Sequence, residues 1–254
     1  MRPPAGYAFL DSPVPLAFAH RGGAAAGVEN ALSTFRAVER LGYRYVETDV
    51  RTTADGVAVV FHDADVGRLT GTSARLAELP YAAVRELALA DGEPVAPLEQ
   101  VLGCFPDLRF NIDLKDEGSV RSVPDVLRRA AAQDRVCVTS FSQARIRRAR
   151  RLLEARVCTG LGIGGVARFV VGASVGWGGA GGRAAVLQVP WSWRGRTLPR
   201  RAVELAHREG LAVHVWTLDD RRSMATALDL GVDGVMTDEP ALLKDELVAR
   251  GLWA

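Results

Sequence analysis

The sequence predicts an α/β fold of the TIM-type (β/α)8 barrel, a single domain over residues 1–254 with a small insertion after the second strand, about 56–96. Three observations carry this expectation. Short apolar runs alternate with amphipathic stretches of helical period along the chain, the pattern of a parallel sheet covered by helices. The strand–helix units number eight, and 254 residues is a length at which eight such units close into one barrel. Histidines and acids recur at the ends of predicted strands, where a parallel barrel builds its active site.

Leu16–Ala19 is the first predicted strand, ending at His20-Arg21-Gly22-Gly23. A glycine-rich loop to Gly27 leads to Asn30, a suitable cap for a helix through Leu41. Arg44–Val50 is the second strand. The turn Ala54-Asp55-Gly56 folds the chain back into Val57–Phe61, an extension of that strand or an accessory one. Residues 64–96 form a long excursion with a short helix at Ala82–Leu89, and excursions of this kind serve as lids or binding loops. Alternation then resumes with a proline-opened helix, Pro97–Phe105, and strand Arg109–Leu114. Helix Val120–Gln133, strand Arg135–Thr139, helix Gln143–Glu154, strand Arg156–Gly160 and a weaker helix Val166–Gly172 follow. Gly172–Gly182 reads as a flexible glycine-rich loop. Beyond it come strand Ala184–Val189, helix Pro199–Glu209, strand Leu211–Val215, helix Asp219–Leu230 and strand Val232–Met236. Asp238 then caps a closing helix to Val248. No short repeat or linker divides the chain.

Composition narrows the partners. Hydrophobic residues make up 48% and charged residues 24%, ordinary for a soluble globular protein with a large core. The net charge of +2 offers no track for nucleic acid. The densest basic run (Arg145, Arg147, Arg148, Arg150 and Arg151) reads as the solvated face of a helix. Three distant cysteines, Cys104, Cys137 and Cys158, argue for free thiols, two of them buried, and against a disulfide framework or zinc site. No signal sequence and no run of about 18 apolar residues is seen, so no membrane insertion is expected. A reducing cytoplasm is the expected setting, with the chain a monomer or homodimer.

Tyr45 to Asp63 is the most informative stretch. On an extended strand Tyr45, Glu47, Asp49 and Arg51 share one face, and Val46, Thr48 and Val50 the other. Two carboxylates aimed into one small volume repel each other, and a hard divalent cation relieves that repulsion. A solvated ion pair with a capping turn is the plain alternative. His62-Asp63 places an imidazole at the end of the neighbouring run. Asn111, Asp113 and Lys115 also alternate, so an acid and an ammonium project together from a third strand. Taken singly, each has a structural reading: His20 and His62 as hydrogen-bonded loop residues, Trp216 as core, Lys115 as a surface partner of Asp113. Taken together, His20, Glu47, Asp49, His62, Asp113, Lys115 and Trp216 meet at one rim. Glu47, Asp49 and Asp113 then make three carboxylate ligands for one cation, Mg²⁺ or Ca²⁺, with Mn²⁺ also suitable.

Ala19-His20-Arg21-Gly22, Val28-Glu29-Asn30, Val46-Glu47-Thr48-Asp49-Val50, Phe61-His62-Asp63, Ile112-Asp113-Leu114-Lys115, Val215-Trp216-Thr217 and Gly231 to Asp238 stand in that order. Together these segments, from about residue 16 to about 245, resemble the glycerophosphodiester phosphodiesterase family. The resemblance implies an elaborated barrel, a divalent cation, and hydrolysis of a small glycerophosphodiester to sn-glycerol 3-phosphate and an alcohol. It implies Glu47, Asp49 and Asp113 as metal ligands, His20 and His62 as the acid–base pair, and Arg21 and Lys115 as phosphate holders. Trp216 would line the glycerol side, and Glu29 would order water at the metal or orient Arg21. The stretch with Arg68, Leu69, Thr70 and Gly71 is similar to the family's lid-like element.

Three departures stand out. Asp113 replaces the family's usual glutamate, so a closer strand or a bridging water would be needed. Val28-Glu29-Asn30-Ala31 replaces Pro-Glu-Asn-Thr and changes the loop's rigidity. Trp216-Thr217-Leu218-Asp219 replaces Trp-Thr-Val-Asn, a change expected to act on the following helix cap. Two rivals follow: a phospholipase D-like or cyclising enzyme acting on lysophospholipids or sphingolipids, and a catalytically silent phosphodiester-binding barrel. Trp191 and Trp193 fit either an alcohol pocket or a subunit contact.

Overall fold

A computed structural model describes residues 6–24, 27–174, 183–193 and 196–253. The chain opens with β1 (Leu16–His20) and α1 (Leu32–Arg40), then β2 (Tyr45–Thr52) and the short β3 (Ala58–Val60). The insertion carries two single-turn helices, α2 (Gly67–Thr70) and α3 (Tyr81–Val84), before α4 (Leu98–Cys104) returns the chain to the barrel. β4 (Arg109–Leu114), α5 (Ser119–Arg129), β5 (Val136–Thr139), α6 (Gln143–Leu152), β6 (Cys158–Thr159) and α7 (Ile163–Ser174) continue the alternation. β7 (Val186–Pro190) is followed by a small hairpin, β8 (Ser192–Trp193) with β9 (Arg196–Thr197), and then α8 (Arg200–Arg208). β10 (Ala212–Trp216), α9 (Arg221–Leu230), β11 (Gly234–Thr237) and α10 (Pro240–Ala249) complete the fold.

Eight strands run parallel in the order β6-β5-β4-β2-β1-β11-β10-β7. A parallel bridge between Gly160 and Val186, with Leu161 N donating to Val186 O at 2.9 Å, nearly closes the ring between β6 and β7. The expected (β/α)8 barrel is therefore present, and β3 is the accessory strand, antiparallel to β2.

Strand parity sorts the core into shells. Val46, Val50, Phe110, Ile112 and Leu114 face outward against Phe35, Val101, Leu102, Val123 and Leu127 of the covering helices. Inside the barrel Phe18, Tyr45, Cys137, Cys158 and Met236 pack on Phe9, whose short helical turn plugs the bottom. Tyr45 Oη donates to Phe9 O at 2.9 Å, which fixes the plug to the wall. Above lies a polar layer: Gln188 Nε2 donates to Asn111 Oδ1 at 2.8 Å and lies 3.4 Å from His214 Nδ1. Gly234 lets the His214 ring lie close against β11, where a Cβ would meet that ring at 2.7 Å.

Several local expectations change. Asn30 does not cap α1; its φ is 55° and its side chain turns inward, while Ala31 holds the cap position. Asp238 does not cap α10, which begins after Glu239 with Pro240 in its first turn, because its carboxylate is engaged elsewhere. Asp220 rather than Asp219 caps α9, accepting from Ser223 N at 2.9 Å. The helix expected over Ala82–Leu89 is one turn, and α7 extends beyond Val166–Gly172 at both ends. Cys137 and Cys158 are buried and free, while Cys104 is exposed. Trp191 is buried in the core cluster around α8 and β10. Most of the glycine-rich stretch before Gly182 lies outside the described residues, as does the Trp193 side chain.

Candidate active site

The C-terminal rim gathers the predicted residues because register leaves them little choice. Along β2, Glu47 and Asp49 point inward; Glu47 stands opposite His20 of β1, and Asp49 opposite Asp113 of β4. All three carboxylates are buried. Lys115, just past β4, places its ammonium between the two aspartates, 2.8 Å from Asp49 Oδ1 and 2.6 Å from Asp113 Oδ2. Arg21 follows β1 at φ 52° and turns back over the rim. Its Nε lies 3.1 Å from Asp49 Oδ2, its Nη1 donates to Glu29 Oε1 at 3.0 Å, and its backbone N–H donates to Glu47 Oε2 at 3.2 Å. Asn30 Nδ2 donates to Asp49 Oδ2 at 3.1 Å, while its Oδ1 accepts from Thr48 Oγ1 at 2.6 Å.

Each histidine leans on its own aspartate. His20 Nδ1 is 2.7 Å from Asp238 Oδ1, and its Nε2 faces Glu47 Oε2 at 3.7 Å. Asp238 is in turn held through its N–H, which donates to Asp219 Oδ1 at 2.7 Å. His62 Nδ1 is 2.6 Å from Asp63 Oδ1. An imidazole bound through Nδ1 to a carboxylate keeps Nε2 for the reacting partner. The two histidines do not touch each other. They are joined through Glu47, Arg21, Glu29, Arg68 and Asp63, since Arg68 bonds both Glu29 and Asp63. Trp216 stands apart from the charged cluster, edge-on to Phe141 at 5.6 Å. Phe141, 50% exposed, also lies 5.2 Å beneath the Lys115 ammonium and gives the mouth an apolar lip.

The electrostatics are those of too many acids in one buried place. Burial and the neighbouring Asp49 push the Glu47 carboxyl up to about 7. Burial also raises Asp113, although Lys115 opposes it. Burial would raise Asp49 too, but Lys115 and Arg21 outweigh it and hold this carboxyl below its usual range. Burial works against the charged form of His20, yet Glu47 and the Asp238 hydrogen bond prevail and raise its pKa.

Both Asp113 oxygens are buried and, among the described residues, make no hydrogen bond of good geometry; Lys115 Nζ lies 2.6 Å from Oδ2 as an ion pair. Three buried carboxylates whose oxygens are incompletely satisfied match the donor preference of a hard divalent ion. Among the described residues no three acid, histidine or cysteine groups are drawn together as a finished cage, so the lysine ammonium provides the positive charge in this arrangement. The donor chemistry suits a hard cation, although the three carboxylates form no cage as they stand among the described residues.

The sequence pointed to the carboxylates and histidines that meet at this rim but not to their supports. Asp238 ends a barrel strand, the same signal that picked out His20, yet its place before a helix favoured a capping role. Asp63 was visible only as the neighbour of His62. Nothing in the spacing linked Arg68 to Glu29, which lies 39 residues away.

The family model for the Glycerophosphoryl diester phosphodiesterase family matches residues 20–242. The chain belongs to this family. Among its relatives, the "Probable glycerophosphodiester phosphodiesterase 2" of Mycobacterium tuberculosis is 38% identical over 94% of this chain and 92% of its own length. A lysophospholipase D of Mus musculus is 25% identical over 90% of this chain and 84% of its own length. The "Putative glycerophosphoryl diester phosphodiesterase" of Silicibacter pomeroyi superposes with a TM-score of 0.81 at 25% identity, covering 98% of this chain and 100% of its own. An Oleispira antarctica phosphodiesterase, solved with the product sn-glycerol-3-phosphate, has a TM-score of 0.78 at 21% identity, covering 92% and 97%. With the family comes the enzyme class, phosphoric diester hydrolase.

Proposed function

We propose that the chain hydrolyses glycerophosphodiesters to sn-glycerol 3-phosphate and an alcohol, with a divalent cation held by Glu47, Asp49 and Asp113. The observation that carries this reading is the pairing of an acid-rich wall with two histidines, each bound through Nδ1 to an aspartate. The product complex of the Oleispira phosphodiesterase supports the glycerol 3-phosphate half of the substrate.

A phosphodiester is a stable anion, so its charge must be balanced before a nucleophile can approach. Arg21 and Lys115 line the site with positive charge fixed before substrate arrives. When bound, a cation would add Lewis-acid polarisation of a phosphoryl oxygen. One histidine takes the proton of the attacking hydroxyl through Nε2, and the other gives a proton to the departing alkoxide as its P–O bond breaks. The attacking hydroxyl belongs to water or to the substrate's glycerol 2-position. The second route passes through a cyclic phosphate that water then opens. Phe141 and Trp216 border the mouth on the organic side of the substrate.

The test is a screen of glycerophosphodiester head groups with Mg²⁺, Ca²⁺ or Mn²⁺, reading out glycerol 3-phosphate. Release of that product, abolished by excess chelator and restored by metal, is the expected result. An unchanged rate in chelator would remove the metal from the account. A second reading has one observation behind it: the murine relative's name describes lysophospholipase D, and Phe141 offers an apolar lip for an acyl chain. A lipid phosphate (lysophosphatidic acid) or a cyclic phosphate as principal product would favour it. The expected setting remains the cytoplasm; among the described residues no helix is long and apolar enough to cross a membrane.

A further inference from the structure

One cation enters the site from outside the barrel. Arg68 rides on α2, a single turn anchored by buried Val66 and Leu69, which pack with Ala31 and Phe61. Its guanidinium spans two acids. Nη2 and Nη1 donate to the two oxygens of Glu29 at 2.6 and 3.2 Å, and Nε donates to Asp63 Oδ2 at 2.5 Å. Asp63's other oxygen is the one that holds His62. Glu29 is buried and also bound by Arg21, so it is the fixed end of this chain of contacts.

His62 needs such a support. It lies in the loop after β3 and is bonded to its own neighbour in sequence, so ring and carboxylate can swing together. Both side chains are partly exposed, at 32% and 25%. Arg51 Nε donates to the His62 carbonyl at 2.7 Å, which fixes the backbone but leaves the ring free to turn. Among the described residues, only Arg68 connects the Asp63 carboxylate to the barrel rim.

We propose that Arg68 is the positioning residue of His62: it pins Asp63 to Glu29, so that Asp63 keeps Nδ1 and His62 presents Nε2 to the substrate. This rests on the reading of His62 as a proton-transfer group. A planar fork with donors on three nitrogens is required, because one guanidinium serves both acids at once. A lysine ammonium is a single point that cannot span them. The insertion thereby places one of its own residues behind the chemistry of the barrel.

The experiment measures glycerol 3-phosphate release from glycerophosphocholine by the metal-supplemented full chain, as wild type, Arg68→Lys, His62→Ala and the double variant. Arg68→Lys is expected to lower kcat at least about tenfold while KM stays within about twofold. In the His62→Ala background the same change is expected to alter kcat less than about twofold, since a residue acting through His62 has nothing left to act on. Turnover of Arg68→Lys within about twofold of wild type would overturn the proposal, as would a tenfold loss that persists without His62. Arg68→Gln repeats the comparison if the lysine variant does not fold. An inactive wild type would instead refute the assignment of the site, which separates the two failures.

Discussion

At the scale of single residues, the proposed proton transfers turn on how two imidazoles are held. His20→Ala and His62→Ala should each lower kcat by about two orders of magnitude or more, the usual worth of a proton-transfer group. Steady-state kinetics on folded variants check this, and near-normal turnover in both would defeat the assignment. Asp238→Asn keeps the shape beside His20 Nδ1 but removes the charge, and should cost about 10- to 100-fold in kcat with the melting temperature little changed. The histidines and acids were legible in the sequence because strand parity and strand ends dictate where such side chains point. Their partners were not. Asn30 looks like a helix cap by residue type, yet at φ 55° its amide bridges Thr48 and Asp49 instead. A short polar side chain serves either purpose, and only the tertiary contact decides between them.

At the scale of elements, the turn after β1 sets the position of Arg21. Gly22 sits at φ +83°, and a Cβ there would press into the Thr34 side chain of α1. Gly22→Ala should therefore destabilise the fold by about 1–3 kcal/mol and displace Arg21, measurable as a lower urea midpoint together with a higher KM. The same turn shows why element boundaries were harder to read than elements. β2 and β4 are long alternating runs with a buried face on each side, and their expected and observed limits nearly coincide. The insertion has no such period. Its buried residues, Val66, Leu69, Leu76, Val84 and Leu89, are spaced for packing on β3 and the turn before α1, not for a helix of their own. A helix expected over Ala82–Leu89 accordingly ends after one turn.

At the scale of the whole molecule, the barrel interior is stratified: an aromatic plug below, a buried polar layer midway and the charged rim above. Midway, burial pushes the His214 imidazole down to about 3, and its Nε2 has no partner among the described residues. In the unfolded chain a histidine titrates near 6.5, so between about 6.5 and 3 the unfolded state binds a proton that the native state refuses. Stability is therefore full above pH 6.5 and declines as pH falls toward 3, by at most about 1.4 kcal/mol per pH unit from this residue. Denaturant titrations of wild type and His214→Gln from pH 8 to 4 should show the gap between them shift in the variant's favour below pH 6.5. A gap independent of pH would show that His214 titrates normally. The eight-unit barrel could be anticipated because alternation and length together leave few topologies, whereas this inner layer could not. Asn111, Gln188 and His214 come from three strands that meet only once the ring closes.

The proposed chemistry requires Glu47, Asp49 and Asp113 to share one cation across β2 and β4, and Asp113, with its shorter side chain, is the residue most able to fail. Anomalous scattering from a Mn²⁺-soaked crystal addresses this directly. One strong peak within coordination distance of all three carboxylates, with Lys115 moved aside from Asp113, is the predicted result. A peak bound by Glu47 and Asp49 while Asp113 stays on Lys115, or no peak at the rim at saturating Mn²⁺, would contradict it.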